Sequence, residues 1–477
     1  MRVVVIGGGI SGLTTSYLAR TAGHDVVCVD PAPRLGGLIR TESHDGFLCE
    51  AGPQAVLDNA PDTLAIIEAL GLRERAITAA PQASRRFIYA RGALHPLPAS
   101  PLALLRSGLL SPAGKLRLLA EPFIGRGGRA RGVPAAGDPD DSETVEAFAI
   151  RRLGVEAART LLGTAVIGIY AADAAALSLA SAFPRLAALE RDHGSLFGGL
   201  VAARRAGKKE ARKDGGKGGP RGRPLSFPGG LQELVDALGQ GLGPGGWSPG
   251  RVVALQRHPA GSGWRIAIAR DAGEASHIEA DAVVLTVGTQ EAAHLLRPIV
   301  PAAHDALAGL PTAPIVVCCL GFRDASSQTL GMDLNAYGFL VARGQAPLLL
   351  GCQYETSTFP GRAPTGGVLL RAILGGTGPG FEPNIVDRSD GEIAERAVAD
   401  LKTVAGLKQA PDMVRVWKYP RGLPLYAPGH AARVAAVDQA LRSHGGLFVI
   451  GHGLRGLGVN ESIRAATALV RDELKSG

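Results

Sequence analysis

Apolar and polar positions follow two different periods along this chain, and the changes of period mark its elements. "RVVVIG" (2–7) is a continuous apolar run closed by glycine, the pattern of a strand buried on both faces. "SGLTTSYLARTAG" has helical spacing and stops at Gly23, and "DVVCVD" is a second buried strand. Together they predict a βαβ unit of about 30 residues. Residues 60–76 are helical in pattern, and "RRFIYARGALHPLP" (85–98) alternates on either side of "RG", predicting a hairpin. From 99 to 200 the spacing is mostly helical and rich in Leu and Ala. "PGGLQELVDALGQGLG" predicts a helix, and "RVVALQR", "WRIAIAR" and "DAVVLTV" predict strands. Residues 311–375 alternate like a broad sheet and 391–405 like a helix. The chain closes on a strand at 446–451 and a helix at 461–474. No internal repeat stands out beyond one recurrence. The strand, glycine turn and helix at Gly7 return in "GLFVIGHGLRGLGVNESI".

Composition narrows the class. At 477 residues, 46% hydrophobic and 20% charged, the chain is globular, with length for about two to four domains. The 66 glycines and 32 prolines mean turns rather than disorder, since apolar content is not depleted. Cys28, Cys49, Cys318, Cys319 and Cys352 show neither CxxC nor a metal-ligand spacing. They read as free thiols in a reducing compartment, with no metal expected. Much of the net charge of +8 sits in "RRAGKKEARKDGGKGGPRGR" (204–223). That stretch reads as a solvated, flexible loop, with contact to anionic lipid headgroups as the sharper alternative. No aromatic residue interleaves with its cations, so nucleic acid is not expected as a partner. A glycine turn beginning at Gly7 leaves no room for a signal peptide, and a cytoplasmic chain is expected. Leu161–Pro184 has Asp173 at its middle and reads as a buried helix pair rather than a bilayer span.

Gly7, Gly9 and Gly12 form G-x-G-x-x-G between a strand and a helix. One glycine permits the tight turn, one lets a pyrophosphate approach the backbone, and one lets helix and strand pack. Ile10 and Ser11 open the helix, whose free N–H groups favour phosphate. Asp30 ends the second strand, placed to accept from ribose hydroxyls. The stretch of chain just after Asp30 favours FAD over a nicotinamide cofactor. "PRLGGLIRT" offers Arg34 and the Gly36–Gly37 pair, and "FLCEAGPQAVL" offers Glu50, Gly52 and Pro53. A second glycine-rich turn suits a longer, extended cofactor.

With these residues the chain resembles the flavin amine oxidase-like superfamily, in which the C-terminal piece returns to the flavin. "GHGLRGLGVNESI" is similar to that closing loop, with Gly451, Gly456, Gly458 and Val459 at the cofactor. Two glycine turns at opposite ends of the chain would then serve one long ligand. Within the superfamily, six stretches resemble the protoporphyrinogen oxidase family and occur in its order. They are "RRFIYARGALHPLP", "GIYAADAAALSLASAFPRL", "SFPGGLQELVDAL", "YGFLV", "TSTFPGRAP" and "GLPLYAPGH". His452 and Leu457 depart from the usual closing loop, where Asn and a small aliphatic are common.

The resemblance implies an α/β fold. A discontinuous Rossmann-like FAD-binding domain would take residues 1–80, 225–295 and 431–477, and a mixed-sheet substrate domain 81–96 and 296–430. A helical, membrane-associating domain would take 97–200, with the basic loop at 201–224. It also implies that Arg86 pairs with a substrate propionate, that the Gly168 backbone faces the tetrapyrrole, and that Tyr337 and Leu340 sandwich it. Ile373 stands where the family often has Met. Without the resemblance, Gly168, Tyr337, Leu340 and Ile373 read as core. Val252 or Val253 would meet the adenine through backbone atoms. The implied activity is FAD-dependent oxidation of protoporphyrinogen IX by dioxygen, with non-covalent FAD and no identifiable side-chain base. A coproporphyrinogen-oxidising enzyme, or an amine oxidase or desaturase on the same scaffold, is the alternative. A homodimer is left open. So is a peripheral seat on the inner face of the cell membrane. For the latter, "LPASPLALLRSGLLSPAGKLRLLAEPFI" (97–124) would lay two short helices, broken by Pro112, in the bilayer surface. Its leucines, Leu109 and Leu110 among them, would point down, with Lys115 and Arg117 at headgroup level.

Overall fold

Five parallel strands form the centre of the molecule, in the order Trp247–Pro249, Asp25–Asp30, Arg2–Ile6, Ala282–Leu285 and Leu447–Val449. The structure is a computed structural model describing residues 1–98, 100–125, 141–202, 222–259, 261–270 and 275–474. The basic stretch 204–223 lies, but for its last two residues, outside the described residues. Unbroken apolar runs form these strands because both sheet faces are covered. On one face, Val3, Val5 and Val284 pack with Ala19 of the helix Ile10–Thr21 and Leu469 of the helix Val459–Asp472. On the other, Val4, Ile6 and Val283 meet Val252, Trp264 and Ile266 of a three-stranded antiparallel meander (Arg251–Arg257, Trp264–Ala269, Ala275–Ala280). The short strand Trp247–Pro249, flanked by glycines, has no apolar run to announce it.

A second sheet has seven strands, in the order Met413–Pro424, Thr312–Phe322, Val368–Gly375, Gly351–Tyr354, Gly338–Val341, Arg86–Ala90 and Ala93–Pro96. The last two form the expected hairpin. Arg91 and Gly92 both take positive φ (55° and 76°), the twist that a two-residue turn needs. One sheet face carries Cys318, Leu320, Phe339 and Ala372, which bury the helix Asp390–Ala405 through Ile393, Ala397 and Leu401. The opposite face carries Val317, Cys319, Leu369 and Trp417, packed with Phe47, Ile167 and Ala171 from elsewhere in the chain. Met413–Pro424 is an edge strand whose Lys418, Pro420 and Arg421 obscure its alternation in the sequence, and an edge tolerates proline.

Between the two halves of the second sheet's sequence lie mainly short helices. Ala158–Gly163 is a π-helical turn running into the helix Thr164–Tyr170, and Asp173 is buried against Arg343, Nη1 to Oδ1 2.5 Å. Three expectations for 97–124 change. Pro112 does not break a helix but opens one, Pro112–Leu119, behind the Ser111 cap, where its missing N–H costs nothing. Leu109 and Leu110 are buried (0% and 2% exposed) with Ile88 and Leu118, so they do not point outward. Arg117 also turns inward, its guanidinium donating to the carbonyls of Arg151 and Arg152. The exposed large apolar side chains among the described residues here are Leu97, Leu102, Leu116, Leu119 and Phe123. Among the described residues no helix is long and apolar enough to cross a membrane. All five cysteines are buried and free.

Candidate active site

Both glycine turns leave the same edge of the parallel sheet. Gly7 follows Ile6 and Gly451 follows Ile450, just beyond Val449, with Ala282–Leu285 as the strand between. The helices they lead into, Ile10–Thr21 and Val459–Asp472, pack against one another. Two turns more than four hundred residues apart therefore face one ligand-sized edge.

Their glycines divide by what surrounds them. A side chain on Gly7 (φ 115°) would press on Thr286 Oγ1 at 2.7 Å, and one on Gly12 would strike the Gly7 carbonyl, so both are needed for packing. Gly9 and Gly451 are different: a Cβ on either meets nothing within 4 Å. Open space lies before the first helix N-terminus, which begins at Ile10 with Ser11 buried behind it. Gly456 (φ 80°) and Gly458 are crowded by Glu461, and Gly458 is the N-cap before Val459.

The second glycine turn is joined to the first, Gly36 N donating to Gly8 O at 2.7 Å. Arg34 braces it, donating to the carbonyls of Leu35, Gly37 and Ile39 at 2.9–3.0 Å. A Cβ on Gly37 would come to 3.1 Å from Gly9 Cα, so the two turns share a wall. The Asp30 carboxylate is engaged by this same corner, accepting from Gly8 N at 2.6 Å and Ala32 N at 2.8 Å. Val252 is buried beside Val29, whereas Val253 is exposed where the register slips.

Glu50 is held by protein groups. It is fully buried, accepting from Thr41 Oγ1 at 2.7 Å and Leu231 N at 2.9 Å, with Arg362 Nη2 at 3.6 Å. Burial pushes its carboxyl up to about 7 against the pull of Arg362. Its bonds tie the strand Phe47–Glu50 to the start of the helix Gln232–Gly241, a structural role. Gly52 packs against the Leu38 carbonyl, and Pro53 follows it.

The second sheet supplies the other wall. Strand register puts Arg86 beside Gly338, Leu340 beside Gly351, and Gly351 beside Ile373, all on the face turned away from the helix Asp390–Ala405. Gly168 approaches from across the gap: a Cβ there would lie 2.7 Å from Leu340 Cδ1. Arg86 has its guanidinium carbon 4.9 Å from the centre of the Tyr337 ring. It makes no ion pair or side-chain hydrogen bond among the described residues, an uncommitted fork of donors suited to a carboxylate.

Sequence pattern did not mark the other residues gathered here. Gln54, Gln353, Glu355 and Arg371 surround the Tyr337 hydroxyl, and Arg371 donates to the Gly52 carbonyl. Tyr426 Oη donates to His452 O at 2.7 Å and meets Tyr170 edge-on, joining the closing loop to the Gly168 helix. Burial lowers the His452 pKa, which favours a neutral ring. A cavity of about 710 Å³ lined by Arg257, Ile299, Ser443 and His444 precedes the strand Leu447–Val449. It therefore lies at the opposite end of the parallel sheet from the glycine turns.

Residues 10–471 match the family described as flavin containing amine oxidoreductase. The chain belongs to that family. FAD is its cofactor, and the cradle fits: open space at Gly9 and Gly451 is flanked by two helix N-termini. The chain is similar to a coproporphyrinogen III oxidase of Bacillus subtilis, 29% identical over 99% of this chain and 97% of that protein. It is likewise similar to human protoporphyrinogen oxidase, 31% identical over 97% of this chain and 96% of that one. A crystal structure from Exiguobacterium sp. 255-15 superposes with a TM-score of 0.81 at 25% identity, covering 100% and 99% of the two chains. This flavin oxidoreductase has the α/β amine oxidase-like fold.

Proposed function

We propose that this flavoenzyme oxidises a porphyrinogen to the porphyrin, protoporphyrinogen IX to protoporphyrin IX, with dioxygen as the final acceptor, in tetrapyrrole and haem biosynthesis. The observation that carries it is Arg86: a free guanidinium on the same sheet face as Leu340 and Ile373, with Gly168 packed against Leu340. A flat macrocycle bearing propionates offers the matching surfaces, and the names of the two relatives agree with it.

FAD, when bound, supplies a hydride acceptor and passes the electrons on to dioxygen. The protein's part is position. Arg86 takes a propionate, and Gly168, Leu340 and Ile373 supply the apolar surface against which the ring lies. No residue is assigned as a base. The FAD is read as non-covalent, so acid precipitation should leave the yellow cofactor in the supernatant, and colour in the pellet would contradict it.

Coproporphyrinogen III, with two more propionates, is the second substrate reading, favoured by the Bacillus subtilis relative. One experiment separates them: anaerobic mixing of the purified flavoprotein with each porphyrinogen, with flavin absorbance as the readout. Faster bleaching by protoporphyrinogen is expected. Faster bleaching by coproporphyrinogen moves the assignment, and bleaching by neither removes it. Exposed Leu102, Leu116, Leu119 and Phe123 support a further proposal, that the helical region rests on a membrane surface.

A further inference from the structure

Tyr337 sits in a closed ring of hydrogen bonds. With the Gln54 amide turned to satisfy its neighbours, its nitrogen donates to the Glu355 oxygens at 2.9 and 2.7 Å, and its oxygen accepts from Tyr337 Oη at 2.6 Å. Tyr337 Oη in turn accepts from Gln353 Nε2 at 2.9 Å, and Gln353 Oε1 accepts from Arg371 Nη1 at 2.6 Å. An ion pair between Arg371 Nη1 and Glu355 Oε1, 3.7 Å apart, closes the ring. The members come from four places in the chain. Gln54 belongs to the flavin-side turn, Tyr337 precedes one strand, and Gln353 and Arg371 face each other across two others. Gln54, Glu355 and Arg371 are at least 94% buried (5%, 0% and 6% exposed), so water does not replace these bonds cheaply.

We propose that Gln353 and Arg371 are positioning residues for substrate binding: they fix the Tyr337 ring, and the ring aims Arg86 at the substrate carboxylate. Arg86 has no acid to orient it, so the ring at 4.9 Å is its support. Two anchors on one hydroxyl, from Gln54 and Gln353, leave the ring no freedom to swing. Through its bond to the Gly52 carbonyl, Arg371 also fixes that support relative to the flavin-side turn. This inference rests on the reading of Arg86 as the carboxylate partner.

Gln353→Ala is the test, because Arg371→Ala would strand the buried Glu355 charge and endanger folding. Losing the amide should raise KM about five- to tenfold, the worth of one hydrogen bond, with kcat and FAD content little changed. Tyr337→Phe, which keeps the ring and removes its anchor point, should do the same and serves if the first variant misfolds. In an Arg86→Ala background neither change should raise KM further, since the residue they aim is gone. A further rise there, or an unchanged KM in the single variants, would overturn the proposal. A crystal structure of Gln353→Ala decides it independently of turnover. A displaced Tyr337 ring supports positioning, and a ring still stacked under Arg86 at its present distance refutes it. A wild type that oxidises neither porphyrinogen would remove the functional reading while leaving this structural outcome readable.

Discussion

A guanidinium supported by an aromatic face keeps its N–H donors available, whereas one paired with a carboxylate has spent them. Arg86 is of the first kind and the buried Arg371 of the second, which is why Arg86 is the one proposed as the substrate's partner. Arg86→Ala removes a charge-assisted pair worth about 1.5–3 kcal/mol, so KM for the porphyrinogen should rise roughly ten- to hundredfold. FAD should remain bound, and steady-state kinetics with an absorbance ratio measures both. Glu50 illustrates the opposite case, a carboxyl held where water cannot reach. Its carboxyl is raised from 4.5 to about 7, so the folded state prefers it protonated. That contribution is whole below the unfolded value and is lost as pH climbs through the folded one. Glu50→Gln keeps an oxygen for Leu231 N and cannot ionise. Its melting temperature relative to wild type should therefore rise between pH 5 and pH 8, by on the order of 2 kcal/mol in stability. A difference constant across that range would show that Glu50 does not titrate there.

At the scale of elements, the two strand–turn–helix units were legible because a period and a few glycines define them. The parallel strands in between, Ala282–Leu285 above all, showed as unbroken apolar runs. The partners of Glu50 were not legible, because an acid close after glycine turns looks the same in sequence whatever it meets in the fold, here Thr41 Oγ1 and Leu231 N. The ring around Tyr337 was not legible at all: residues 54, 337, 353, 355 and 371 meet only through strand register, which local pattern does not encode. Arg371 lies two residues before Ile373 on one strand, and that alternation was the one available signal. The turn itself makes a sharp prediction. Gly9 has ordinary extended backbone (φ −76°, ψ 178°) and free space beyond it, so Gly9→Val should fold normally but block the cofactor. Gly12→Ala should fail differently, since its methyl group strikes the Gly7 carbonyl. Melting of the deflavinated proteins isolates the fold from FAD's own stabilisation. Apo Gly9→Val should melt with wild type, within about 0.5 kcal/mol, while its flavin absorbance is lost. Retained flavin in Gly9→Val would place the pyrophosphate elsewhere.

On the scale of the whole molecule, the helical region presents an apolar surface with no partner among the described residues. Leu102, Leu116 and Leu119 are 56%, 70% and 47% exposed, and Phe123 is 89% exposed, all within residues 101–123. Leu118 on the helix Pro112–Leu119 is buried, as are Leu109 and Leu110 just before it, so this helix has an inner and an outer side. A surface helix of a water-soluble protein would place polar residues on that outer side. Transfer of each exposed side chain into a bilayer interface is worth on the order of 1–2 kcal/mol, enough together for reversible attachment but not for insertion. Arg106 and Lys115 remain to meet anionic headgroups, Arg117 being held by backbone carbonyls. Flotation with anionic liposomes tests the proposal. Wild type should rise with the vesicles, more at low salt than at high. Leu116→Glu with Phe123→Glu should stay below, while its flavin content and its turnover of detergent-dispersed substrate are unchanged, because neither side chain touches the site. Leu109→Glu with Leu110→Glu is the wrong variant for this purpose, since it buries charge and would report misfolding. Wild-type protein that remains at the bottom at low salt would show that this apolar surface is covered by something other than lipid.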